Sequence, residues 1–297
     1  MTAFPITKGV SVTPRLALLL WGHAGVGKTT WAATAPGQKL WISFGDQEHA
    51  PVAARSDVEV MDLSMYGPDE IYKQVTETNP FGLDAYLARH EEIESVVVDS
   101  LTVVEQLGLD QAIYKKVGKS PRFMPSVMEP GLGAYGARNQ NLLLIIRSFL
   151  KVTAKHQVHI VMTAHERDPI VVNGQTEYIP MLGMRLIGKV TSMLSEIWSL
   201  RQEPSKARNR IITTRISGGR HPMKTRMFNQ KGESSFIAAY DPDKPDEAKG
   251  QITLAGLMEQ WRMNKFNRIP VPTNRMGGDD LDNKEQRIVM GLSDDEG

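Results

Sequence analysis

The sequence predicts an α/β protein in which a mostly parallel sheet carries helices on both faces. Three observations predict it. Short apolar runs alternate with helical patterns, those runs are apolar at consecutive positions, and a glycine-rich turn follows the first of them. The candidate strands are Leu16–Trp21, Leu40–Phe44, Val58–Met61, Val96–Asp99, His159–Thr163, Ile197–Leu200 and Ile211–Arg215. A strand with one wet face would alternate apolar and polar residues, so unbroken Val, Ile and Leu suit strands covered on both sides. The clearest helical pattern spans Ala134–His156, where Leu142, Leu143, Ile146, Phe149 and Leu150 recur at three- and four-residue spacing. Further helices are expected from about Thr102 to Val117 and after Met184.

Composition narrows the function classes. Over 297 residues, 35 basic and 34 acidic side chains leave a net charge of +1, and 41% of residues are apolar, the balance of an ordinary globular protein. The absence of cysteine excludes a disulfide framework, a thiol nucleophile and a zinc-thiolate site. The apolar runs Leu16–Trp21 and Leu142–Ile146 fall far short of the ~20 residues that span a bilayer. With no secretory pattern at the N-terminus, the expectation is a cytoplasmic protein with no membrane partner. Charge is unevenly spread. Eight basic residues between Arg201 and Arg226 face Glu203 alone, whereas seven acidic residues fall between Asp279 and Gly297. A core over residues 1–261 and a flexible acidic tail over 262–297 are expected.

Directly after the first strand comes Gly22-His23-Ala24-Gly25-Val26-Gly27-Lys28-Thr29, two glycines separated by four residues and followed by lysine and a hydroxyl residue. This is the P-loop pattern. Glycines let the backbone wrap so that successive N–H groups face phosphate oxygens, and the following helix adds its positive end, reaching Thr30. Lys28 would meet the β- and γ-phosphates, and the Thr29 hydroxyl would ligate Mg²⁺, so ATP and Mg²⁺ are the expected cofactors. A second element agrees: Ser95-Val96-Val97-Val98-Asp99-Ser100 is an apolar strand ending in a carboxylate, the position that holds the metal in such sites. A strand-end aspartate that merely caps the next helix is the plain alternative.

Two long segments flank the core strands at the edge where α/β proteins bind ligands. Residues 115–133 hold Lys115, Lys116, Lys119 and Arg122 beside Phe123, Met124 and Met128, with Pro121, Pro125 and Pro130 opposing a helix. Residues 166–183 hold Arg167, Tyr178 and Met181. Both are expected to lack regular structure. Cations that track phosphates, interleaved with flat or flexible groups that meet bases, suit a single nucleic-acid strand. Trp21, Trp31, Trp41 and Trp198 fall on or beside core elements and are expected to pack.

After the second strand the chain reads Asp46-Gln47-Glu48-His49-Ala50, similar to the Asp-x-Glu-His-Ala run of RecA-family recombinases. Val98-Asp99-Ser100-Leu101-Thr102 and the long helix and strand from Tyr135 to His165 follow the same order. The resemblance covers about residues 14 to 230 and is greatest to phage-encoded RecA-core single-strand annealing proteins. It implies an ATPase in which Glu48 polarises the attacking water. His165 takes the place of the usual amide side chain that senses the γ-phosphate, a departure from the family pattern. The resemblance also implies single-stranded DNA contacts through Lys119, Arg122, Phe123, Arg167, Tyr178 and Arg185. It further implies assembly with copies of the same chain as a ring or filament, and a single-strand DNA-binding protein as helper. Lys224 and Arg226 would reach a neighbouring subunit's nucleotide, with attraction to DNA and a solvated face as the other readings. A helicase or packaging motor, or a nucleotide-switched DNA-binding protein with negligible hydrolysis, shares the same core.

Overall fold

The computed structural model describes residues 14–45, 49–76, 79–115, 131–203, 206–229, 233–238 and 252–272. In chain order the elements are β1 (Ala17–Gly22), α1 (Lys28–Ala32), β2 (Gln38–Ser43), β3 (Val58–Asp62), α2 (Pro68–Val75), α3 (Leu83–Leu87), β4 (Ile93–Asp99), α4 (Leu101–Tyr114) and α5 (Gly131–Lys155). They continue with β5 (His159–His165), β6 (Ile170–Val172), β7 (Gln175–Glu177), α6 (Met184–Met193), β8 (Glu196–Glu203), β9 (Lys206–Thr213), β10 (Ser235–Ala238) and α7 (Leu254–Met263).

Eight strands form one sheet in the order β10-β9-β8-β1-β5-β4-β2-β3. The pairs from β8 across to β3 are parallel, and β9 and β10 add two antiparallel pairings at the far edge. The expected fold class is therefore the observed one. β5 lies between the strand that leads into the glycine turn, β1, and the strand that ends in Asp99, β4. This order brings the C-terminal ends of β1, β4 and β5 to one edge.

Unbroken apolar strands exist because each face of the sheet has its own core. On one face Leu19, Trp21, Ile42, Val96, Val98, Ile160 and Met162 pack with Val104, Ile146, Phe149 and Val190 from α4, α5 and α6. On the other, Leu18, Leu20, Trp41, Val97, Val161 and Trp198 pack with Trp31 of α1 and Leu257, Met258 and Trp261 of α7. The four tryptophans singled out in the sequence are all buried. Among the described residues no helix is long and apolar enough to cross a membrane.

Two regions differ from expectation. Residues 166–183 are not structureless: β6 and β7 pair as an antiparallel hairpin. Asn173 and Gly174 form its two-residue turn with φ of 51° and 76°, the left-handed geometry that matches strand twist. At the C-terminal side, the boundary placed at Arg262 falls inside α7. Beyond it Ile269 bridges to Phe228 and, with Val271, is buried in the α1-side core. The Leu254, Leu257, Met258 and Trp261 stripe explains why: its three- and four-residue spacing needs a face to cover. Thr34 anchors its start, accepting from Leu254 N at 2.9 Å through Oγ1 and from Ala255 N at 2.9 Å through its carbonyl.

Candidate functional site

The glycine turn between β1 and α1 is shaped by two constraints. Gly22 lies so close to β8 that a Cβ there would stand 2.0 Å from the Leu200 carbonyl oxygen. Gly27 adopts φ 91° at the entry to α1, a conformation that costs any L side chain. His23, Ala24 and Gly25 are exposed, Val26 is buried under the turn, and Thr29 and Thr30 are half-buried at its end. The result is an open backbone loop over a packed base.

Lys28 is buried and curls under this loop. Its Nζ donates to Gly22 O at 3.0 Å and to His23 O at 2.9 Å, and stands 3.5 Å from His165 Nδ1. An ammonium only donates, so Nδ1 accepts and the imidazole proton sits on Nε2. Burial first, then the Lys28 charge, hold the His165 pKa below the ordinary histidine range, against the pull of Asp99. His165 is therefore neutral, with an Nε2–H available to a phosphate oxygen. Register fixes its place, because His165 is the β5 partner of Gly22, and Glu166 N donates to Gly22 O at 2.9 Å. The Thr102 hydroxyl accepts from His165 N at 2.9 Å.

Asp99 ends β4, the next strand beyond β5 in the sheet. Its Oδ2 accepts from Thr29 Oγ1 at 2.9 Å and its Oδ1 from Thr163 Oγ1. Burial pushes the Asp99 carboxyl up, while the Thr163 and Thr29 hydroxyls and the Lys28 charge pull it back toward ionisation. The neighbouring Ser100 hydroxyl is buried with no hydrogen-bond partner among the described residues. A buried carboxylate beside a threonine hydroxyl is the hard oxygen donor set that Mg²⁺ prefers, alongside its own waters and a nucleotide's phosphates. The residues present thus fit both groups: the open loop a triphosphate, and Thr29 with Asp99 the metal.

Sequence reasoning singled out Gly22 through Thr30, Asp99 and His165, and the structure brings all of them together. It missed Thr163 and Thr102, hydroxyls within apolar surroundings that no motif marks. It also missed Arg220, which pairs with Glu166 directly after His165. Glu48 lies outside the described residues, as do Lys119, Arg122 and Phe123. Arg167 is exposed beside the hairpin and Arg185 is exposed in the first turn of α6. Tyr178 is half-buried, with the Arg220 guanidinium 4.6 Å from its ring centroid. Lys224 is engaged within its own chain: Nζ donates to Leu194 O at 2.6 Å and Thr191 O at 3.3 Å, at the C-terminal end of α6. Its bridge partner Ile197 is level with Leu19, so Lys224 lies back from the glycine turn of its own chain. Arg226 is exposed, while its backbone N–H donates to the buried Glu196 at 2.7 Å.

No curated protein matches the sequence. Among solved structures, a KaiC-like protein from the hyperthermophilic archaeon Pyrococcus horikoshii is similar at 12% identity. The match covers 76% of this chain and 86% of that one, with a TM-score of 0.39. A family model described as an AAA domain matches residues 15–227, which include the glycine turn, Asp99 and His165; the chain belongs to this AAA domain family of nucleotide-binding P-loop proteins.

Proposed function

We propose that the chain is a Mg²⁺-dependent ATPase that binds single-stranded DNA, assembles with copies of itself as a ring or filament, and promotes annealing or strand pairing in phage recombination. One observation carries the reading: Lys28, Thr29, Asp99 and His165 converge from three strand ends, and the last of them leads directly into the hairpin at residues 166–183.

Phosphoryl transfer asks a protein mainly for positioning and charge. The loop N–H groups from Gly25 to Thr29 orient the phosphates, and Lys28 exchanges its loop carbonyls for β- and γ-oxygens. Thr29 and Asp99 would hold Mg²⁺, which supplies positive charge at the oxygens where negative charge develops. His165 donates from Nε2 to the terminal phosphate, and Glu48 orients the attacking water. Loss of the terminal phosphate releases that histidine contact, and Glu166 transmits the change to the hairpin. Exposed Arg167 and Arg185 supply charge for a strand running along this edge.

Phosphate release with and without a long single-stranded oligonucleotide, together with annealing of complementary oligonucleotides, tests the reading. The expected result is Mg²⁺-dependent release that Lys28→Ala abolishes, and annealing that depends on nucleotide. Equal release by parent and Lys28→Ala, or no retention of the oligonucleotide, would reject it.

A further inference from the structure

The basic stretch Arg201–Arg226 enters the fold as strands and turns, and strand periodicity separates its members. Ile212 is buried with Leu18, Leu20, Val26 and Trp31 on the face of the sheet that carries α1. Arg210, two residues earlier on β9, shares that face. Arg201 is on the opposite face, where it lines a cavity of about 180 Å³ with Tyr178, Thr213 and Arg220. Position along the strand is equally specific. Trp21 pairs with Ser199, and Arg210 pairs with Gln202, three residues further toward the edge that bears the glycine turn. The side chain reaches that turn: Arg210 Nε stands 3.6 Å from the point a Cβ on Gly27 would occupy.

Sheet order then tells which end of a bound nucleotide Arg210 borders. Lys28 Nζ, His165 and Asp99 gather on the β5 and β4 side of β1, which makes that side the γ-phosphate and metal end. β8 and β9 lie on the other side of β1. We infer that Arg210 binds the nucleoside end of the nucleotide, as a cation on the α-phosphate side of the cradle, supplied by the same chain. A guanidinium suits this place because it grips phosphate oxygens through a planar fork and also stacks on a flat base. The inference rests on the ATPase reading and adds to it a residue that acts on affinity through the part of the ligand common to ATP and ADP.

The test is titration of the full chain with fluorescent ATP and ADP in Mg²⁺, comparing the parent with Arg210→Ala, Arg210→Gln and Arg210→Lys. Arg210→Ala and Arg210→Gln should raise Kd about tenfold for both nucleotides, with Arg210→Lys between them and the parent. The glutamine variant keeps a polar, uncharged side chain, shorter than arginine, so a misfolded alanine variant does not decide the outcome. Weakening of ATP without weakening of ADP would place Arg210 at the γ end and overturn the inference. Unchanged Kd values in a parent that binds both nucleotides would also overturn it while leaving the ATPase reading standing. A parent that takes up neither nucleotide would sink both.

Discussion

Arg220 holds Glu166 with both terminal guanidinium nitrogens, and Glu166 follows directly on the histidine that meets Lys28. The same guanidinium lies 4.6 Å from the Tyr178 ring centroid and 5.6 Å from that of Trp21. One side chain therefore joins the strand that enters the glycine turn, the end of β5, and the base of the hairpin. Tyr178 N donates to Gly219 O at 2.9 Å, and His221 N donates to Tyr178 O at 3.1 Å, so the 217–221 turn is laced to the same place. The two charged side chains are only 11% and 6% exposed, which takes the pair out of the class of weak surface bridges.

Breaking that pair leaves a carboxylate with little water around it. Arg220→Ala should lower stability by about 3 kcal/mol, read as a shift of the urea midpoint with unchanged slope. Adding Glu166→Gln to Arg220→Ala removes the stranded charge and should recover part of the loss. Additive losses in the double variant would show that the pair is not coupled.

Gly22 tests the packing of the site's base. A methyl group there meets the Leu200 carbonyl at 2.0 Å, and the obstacle is backbone in the centre of the sheet. Gly22→Ala should force β1 and β8 apart and cost about 1–3 kcal/mol, seen as a lower Tm together with weaker nucleotide uptake. A parent-like Tm would mean that the strands can separate without loss.

For Asp99, a change of charge at nearly constant shape isolates the metal. Asp99→Asn keeps one acceptor oxygen for the Thr29 and Thr163 hydroxyls, puts an NH₂ donor in place of the other, and gives a poor Mg²⁺ ligand. Turnover should fall about 100-fold or more, while uptake of nucleotide measured without Mg²⁺ should change little. If turnover at saturating Mg²⁺ equalled that of the parent, Asp99 would be a helix-capping residue and not a metal ligand.

Acid should weaken the fold well above the carboxylate range. His159 accepts from Leu16 N at 3.0 Å, and burial, with Arg15 nearby, holds its pKa down to about 4. His165 is lowered as well. The unfolded chain takes up these protons near pH 6.5, the folded chain only at lower pH, so stability is complete above about 6.5 and declines as pH falls toward 4. Each histidine contributes a slope no steeper than ~1.4 kcal/mol per pH unit. Asp57, held down to about 2 by Arg55 and Lys39 against its own burial, loses its contribution only as pH falls from about 4 toward 2, below the histidine window. Asp84, lowered by Lys155 and His156 against its own burial, likewise loses its contribution only below that window. Urea unfolding at pH 7, 6 and 5 reads the histidine window. His159→Gln should flatten it, and an unchanged slope in that variant would remove His159 as the cause.

The cradle was legible because its chemistry and its chain order coincide: a buried strand, a glycine turn, then Lys28 and Thr29. Asp99 and His165 were legible as strand ends. What joins them was not. Thr163 and Thr102 act through register between distant strands, and Arg210 stood in a run of cations until β9 fixed its face. The hairpin was within reach, since Asn173-Gly174 is the strongest short signal for a two-residue turn. The basic and aromatic content of the surrounding segment drew the reading toward an irregular loop instead. α7 was within reach too, but the prolines and acidic residues that follow it suggested an extension, and only the Phe228–Ile269 bridge shows where the packed chain continues.

The proposed binding of a strand at the hairpin edge can be separated from nucleotide binding by salt. Arg167 and Arg185 are exposed at the two ends of the segment that His165 begins and α6 closes, and neither touches the cradle in the described contacts. If each neutralises one phosphate of a single strand, replacing both by alanine should lower affinity for an oligonucleotide. It should also reduce the slope of log affinity against log salt by about 1.4, some 0.7 for each phosphate lost. Fluorescence anisotropy across a salt series measures both quantities, with Kd for ATP as the control. A parallel downward displacement with the slope unchanged would mean that these arginines shape the edge without meeting phosphates, and an unaltered curve would move the DNA path elsewhere on the chain.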